Sequence, residues 1–225
     1  MADTTVTRLC GAFTLLSAVL GLAGAPIAAS IGYPIFADFG DGDTLLAMAS
    51  NWPTPLLFGL LQITLPTLAL AGALGYYYLL KDGGPLVVLG VVLLCSGLVF
   101  TIAQDGIEIA LIDALPRAYA AADAAARPAL LTVGDAGTSA LGVFGRLGVI
   151  GLIGTLLLAL TMWRLRRWRW IAGLYFVVFV LTMAANTLAA LVPVLGIAFP
   201  LGYSLLRVYM LAIGGVMLRW KPSVA

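Results

Sequence analysis

Nine polar side chains interrupt otherwise apolar stretches of this chain: Gln62, Gln104, Asp105, Glu108, Asp135, Arg146, Asn186, Tyr203 and Arg207. Their types define the chemistry open to them. Guanidinium groups suit bidentate binding of carboxylate or phosphate. The three carboxylates Asp105, Glu108 and Asp135 could hold a hard cation or supply an acid–base pair. Spacing groups them further. Gln104, Asp105 and Glu108 stand three and four residues apart, so they share one helix face. Asp135, Ser139, Gly142 and Arg146 follow an i, i+4, i+7, i+11 stripe, and Tyr203 and Arg207 are i, i+4.

The residues that are missing narrow this list. The chain has no histidine. That excludes His-ligated haem, Ser-His-Asp and Cys-His catalysis, and the histidine zinc-protease motif. Cys10 and Cys95 are the only cysteines, a poor zinc set, and both are expected to pack as small apolar side chains. There is no phosphate-binding GxxxxGK[ST] loop. Two arginines near three carboxylates oppose a bound cation. No catalytic residue, metal ligand or cofactor is therefore assigned.

The elements that must position these residues are membrane helices. Of the 225 residues, 62% are hydrophobic and 10% charged, and mean hydropathy is +1.09. A soluble domain carries about 25% charged residues. The composition excludes a soluble enzyme, a nucleic-acid module and a disordered chain. A span needs about 20 mostly apolar residues. Six stretches qualify, at about 11–35, 55–80, 85–112, 132–163, 170–191 and 197–218. The reading is one all-α domain over residues 1–225, a polytopic membrane helix bundle of six transmembrane helices. The apolar N-terminal stretch is read as the first span rather than a cleaved signal, because it runs too long for a signal core. Pro193, Gly196 and Pro200 mark the reversal between the last two spans. The Ala-rich stretch within 113–128 is expected to hold a short surface helix of its own.

Orientation follows from the basic residues. Arg8, Lys81, Arg164, Arg166, Arg167, Arg169, Arg219 and Lys221 fall on one side, and only Arg117 and Arg127 on the other. Both termini are expected to be cytoplasmic, in a cell inner (plasma) membrane. The run 163–170, rich in Arg and Trp, reads as an interfacial anchor facing lipid headgroups. Small residues at 17, 21, 25 and 29, and glycines at 142, 145, 148, 151 and 154, read as stripes that let helices approach closely. Pro26 and Pro66 allow kinks.

Rise arithmetic places the polar groups in the outer half of the membrane. Arg207 lies roughly 18 Å from the cytoplasmic end of its helix, and Gln62, Gln104, Asp105, Arg146 and Asn186 roughly 24–30 Å. A charge at mid-membrane costs about 2.5–3.5 kcal/mol, so such groups pair or line a wet cavity. Three readings compete. One is a buried ion-pair network in which Arg146 pairs with Asp105, Glu108 or Asp135. The second is an outward-facing pocket for a small polar or amphiphilic ligand. The third is a catalytic or metal site.

Other features carry a resemblance. They are Glu108 late in the third span, the Ala/Asp-rich segment 114–135, the Gly-rich fourth span ending at Met162-Trp163-Arg164, and the closing Gly-Gly-x-x-Leu-Arg at 214–219. In these the chain resembles a bacterial family of six-helix integral membrane proteins of unknown function. The resemblance implies the six-span fold and no activity. The function expected from the residues is binding or transport of a small polar, amphiphilic or anionic ligand. The alternative is a non-catalytic accessory or scaffold subunit. Membrane lipids are expected partners, with a membrane-complex partner or a homo-oligomer in the scaffold case, and no nucleic acid.

Overall fold

The computed structural model describes residues 2–30, 38–188 and 198–221. Among these residues the structure is helical, with no strand. The helices are α1 (Ala2–Ser30), α2 (Gly42–Ser50), α3 (Thr54–Leu80), α4 (Pro85–Ala121), α5 (Arg127–Arg164), α6 (Arg169–Leu188) and α7 (Ala198–Arg219), with a short 3-10 turn at Lys81–Gly83 between α3 and α4. Five helices are long and apolar enough to cross a membrane; the apolar part of α6, Arg169–Ala184, is shorter. The expected reversal at Pro193 and Gly196 lies outside the described residues, as does the end of the first expected span.

Two elements differ from the sequence reading. The Ala-rich stretch is not a separate surface helix. Alanine propagates helix well, so α4 runs unbroken to Ala121 before a turn in which Asp123 accepts a hydrogen bond from the Ala126 N–H at 2.8 Å. At about 1.5 Å per residue, α4 is about 55 Å long and α5 about 57 Å, far longer than the roughly 30 Å hydrocarbon layer. The second difference is α2, nine residues in the first long loop. Asp41 starts it by accepting from both the N–H and the hydroxyl of Thr44, at 2.9 and 2.6 Å.

The six long helices form a closed ring, in the order α1, α3, α4, α5, α6, α7 and back to α1. The tightest seam is α4 with α5. A Cβ on Gly97 would collide with the Gly151 backbone, and one on Gly154 with the backbone of Leu94 and Gly90. Without these glycines the two helices could not close. Eight basic residues gather at one end of the ring. There Lys81 pairs with Asp3 at 3.8 Å and Arg167 with Asp82 at 2.9 Å. The Arg169 guanidinium lies 5.0 Å from the Trp163 ring centre. Arg166 and Trp168 take positive φ, 55° and 49°, to reverse the chain there.

Apolar side chains form two clusters. One lies toward the basic end and takes buried residues from all six ring helices: Ala18, Tyr76, Val87, Leu158, Tyr175 and Ile213 are examples. The other joins Phe39, Leu45, Met48, Phe58, Ile112, Leu115 and Tyr119. Ile112 stands about 40 Å along α4 from Pro85. A layer of roughly 30 Å measured from Pro85 would end near Asp105, so this second cluster caps the bundle at the end opposite the basic residues.

Candidate functional site

Arg207 is the buried charge of the bundle. It sits on α7 with 8% of its surface exposed. Its neighbours come from the helix periodicity and from α1. One turn earlier on α7, Tyr203 places its ring 4.4 Å from the guanidinium carbon and accepts a hydrogen bond from Nη2. Across the seam, Nη1 donates to Ser17 Oγ at 3.4 Å, and on α7 itself it approaches Met210 Sδ at 3.8 Å. Ser17 in turn donates to the Leu65 carbonyl on α3 at 2.8 Å, so α7, α1 and α3 are chained together. Gly21 makes the arrangement possible. A Cβ there would lie 2.7 Å from Arg207 Cζ, so a larger residue would force the guanidinium to shift from this position.

The charge itself is not cancelled locally. Arg207 Nε is buried without a hydrogen-bond partner among the described residues, and no carboxylate among them lies within ion-pair distance of the guanidinium. Burying an unpaired charge is costly. Asp105 is partly buried on α4 and feels the charges of Glu108 and, across the ring, of Arg207. Glu108 is partly buried and already engaged. Arg207, Tyr203, Asp105 and Glu108 are thus the residues of the sequence cluster that share the interior.

The others stand elsewhere. Gln104 is partly buried against Gly145 of α5. Gln62 is partly buried on α3. The Asn186 side chain lies outside the described residues. Asp135 is exposed in the cap, with its carboxylate packed on the backbone turn at Gly40. Arg146 is exposed and makes no ion pair among the described residues. The expected pairing of Arg146 with Asp105, Glu108 or Asp135 is therefore not formed. The reason is angular. The face of α5 that meets α4 carries Gly137, Gly145, Gly148 and Gly151. Arg146 follows Gly145 by one residue, about 100° further round. It stands about 27 Å along α5 from the Arg164 end.

Sequence reasoning missed Ser17 and Gly21 as parts of this site and placed them only in a packing stripe. The signal was present in that stripe, but nothing in it specified Arg207 as the residue the gap admits. Among the described residues no cluster of His, Cys, Asp or Glu could hold a metal ion, and both cysteines are free. The fold and this site define a membrane-type helical bundle with an arginine buried at an inter-helix seam. No protein-family model, curated protein or solved structure matches the chain.

Proposed function

We propose that the chain is a six-span inner-membrane protein with both termini cytoplasmic, and that Arg207 binds the anionic or strongly polar group of a small ligand entering from the outer side. The observation that carries this reading is the guanidinium of Arg207: buried, held by neutral Ser17 and Tyr203, and, among the described residues, with Nε unsatisfied and no carboxylate paired to it. A ligand oxyanion would supply the missing partner, and a planar guanidinium suits carboxylate or phosphate. The orientation rests on eight basic residues at one end. Cysteines introduced at 41 and 123 should be labelled by an impermeant reagent in intact cells, and one at 166 should not. Labelling at 166 reverses the orientation.

A second reading has its own observation. The chain of hydrogen bonds from Arg207 through Ser17 to Leu65 would tie three helices in an accessory or scaffold subunit. Arg207→Met, which keeps bulk and removes charge, separates the two. The ligand reading expects little change in melting temperature, and loss of a shift that a panel of small carboxylates and phosphate esters gives with the parent protein. A large fall in melting temperature, with no shift in the parent, establishes the tie instead.

A further inference from the structure

The basic end of the ring carries a groove of about 630 Å³ on the outer side of α4. Its walls are Tyr77 of α3 and Val88, Leu89 and Val92 of α4, and its mouth is Lys81 and Gly84. These α4 residues face away from the core. Val87, Gly90 and Val91 are buried, whereas Val88, Leu89 and Val92 are about half exposed. Gly84 stands in open space at the mouth. Its φ of 68° favours glycine, and a Cβ there would have no neighbour within 4 Å. Lys81 is half exposed, and its ammonium lies 3.8 Å from the Asp3 carboxylate, too far for a hydrogen bond.

We propose that this groove binds one anionic phospholipid, its acyl chain along Val88, Leu89 and Val92 and its headgroup phosphate on Lys81. The proposal rests on the membrane-spanning reading and is independent of Arg207. The lining is apolar for about 12 Å from Gly84 to Val92 and cationic only at one end, which is the polarity of a lipid anion rather than of a water-soluble one. Charge favours an anionic headgroup over a zwitterionic one. The Arg167–Asp82 ion pair brings the basic turn 164–169 beside the Lys81 turn, adding Arg164, Arg166 and Arg169 to the same end. Asp3 is the internal competitor for Lys81.

The test is native mass spectrometry of the delipidated full chain in mild detergent, titrated with phosphatidylglycerol or phosphatidylcholine of matched acyl chains. One phosphatidylglycerol per chain should be retained in preference to phosphatidylcholine. Lys81→Met should weaken retention about fivefold, the effect of one lysine near an anionic surface. Val88→Trp should block the groove with the charge intact. Asp3→Asn should strengthen binding by freeing the ammonium. Arg207→Met should leave it unchanged, so this site and the Arg207 site fail or survive separately. Equal retention of the two lipids, or unchanged binding in both Lys81→Met and Val88→Trp, overturns the proposal. Displacement of the lipid by millimolar inorganic phosphate would also overturn it, because the groove would then serve a soluble anion.

Discussion

Toward the basic end, one apolar cluster draws a residue from each of six ring helices, and the seams beside it close on glycine. At the opposite end, the cap is made by α2, the start of α3 and the last turns of α4; each cluster buries three aromatic side chains, Phe39, Phe58 and Tyr119 in the cap and Tyr76, Tyr175 and Tyr209 toward the basic end. The cap also carries polar fastenings at its surface: Arg117 pairs with Asp113 at 2.7 Å and lies 4.5 Å from the Trp52 ring centre, and Arg127 lies 5.2 Å from the ring centre of Tyr119. On the membrane-spanning reading the two clusters meet different solvents, lipid around the first and water around the cap. In lipid, burying a leucine against a neighbour gains no transfer energy, so close backbone approach and dispersion must hold helices together. In water, burying aromatic and aliphatic area is itself the driving force.

The sharpest way to break this comparison is at the α4–α5 seam. Gly97→Leu should abolish recovery of monodisperse protein in detergent, because the obstructing atoms are Gly151 backbone and cannot swing aside. Gly142→Leu on the same helix pair should be nearly silent, since a Cβ there meets nothing within 4 Å. Equal recovery of the two variants would remove glycine packing from the account.

The next largest effect is expected in the cap. Ile112→Ala should cost about 2–5 kcal/mol of cap stability, the range for a buried aliphatic truncation in water. Amide exchange should show the loss confined to α2 and the upper turns of α3 and α4. Ile213→Ala, fully buried in the other cluster, should cost less, because only packing is lost there. A reversed order would mean that the cap is embedded in lipid.

The smallest effect concerns pH. Hydrogen bonds from the Thr44 hydroxyl and backbone hold the Asp41 carboxyl below its usual value of 3.8. The folded value is lowered, so the cap contribution is complete above the unfolded value and is lost as pH falls through the folded one. Amide exchange in the first turn of α2 should therefore accelerate only in acid, below about pH 4. Asp41→Asn, which cannot titrate, should flatten that response; an unchanged acid response in this variant would remove Asp41 as its cause.

Helix type and most boundaries were legible without coordinates. The stretches read at 55–80 and 197–218 compare with Thr54–Leu80 and Ala198–Arg219. Hydropathy over 20 residues is a strong, local signal, and a proline or glycine beside a basic residue punctuates it. The third and fourth spans were read too short, because hydropathy reports where lipid ends and not where helix ends. The helix α2 was missed although Asp41 and Thr44 offered a cap, since nine residues carry little periodicity.

The site divides in the same way. Tyr203 and Arg207 were joined by their spacing alone, because i, i+4 side chains on a helix must be neighbours. Rise per residue set Asp105 roughly 10 Å or more above Arg207, and only the packed bundle brings the two close enough for their charges to interact. Which partner Arg207 meets across the ring was decided only by tertiary structure. Ser17, Gly21 and Leu65 lie more than 140 residues away in the chain, and the rotation of α1 against α7 selects them. The same is true of Arg146. Its depth was legible, but its direction depended on which face of α5 closed on α4, and that face was chosen by glycines whose contact lies on another helix. Sequence periodicity specifies a stripe up to rotation about the helix axis; only packing against a second helix removes that freedom.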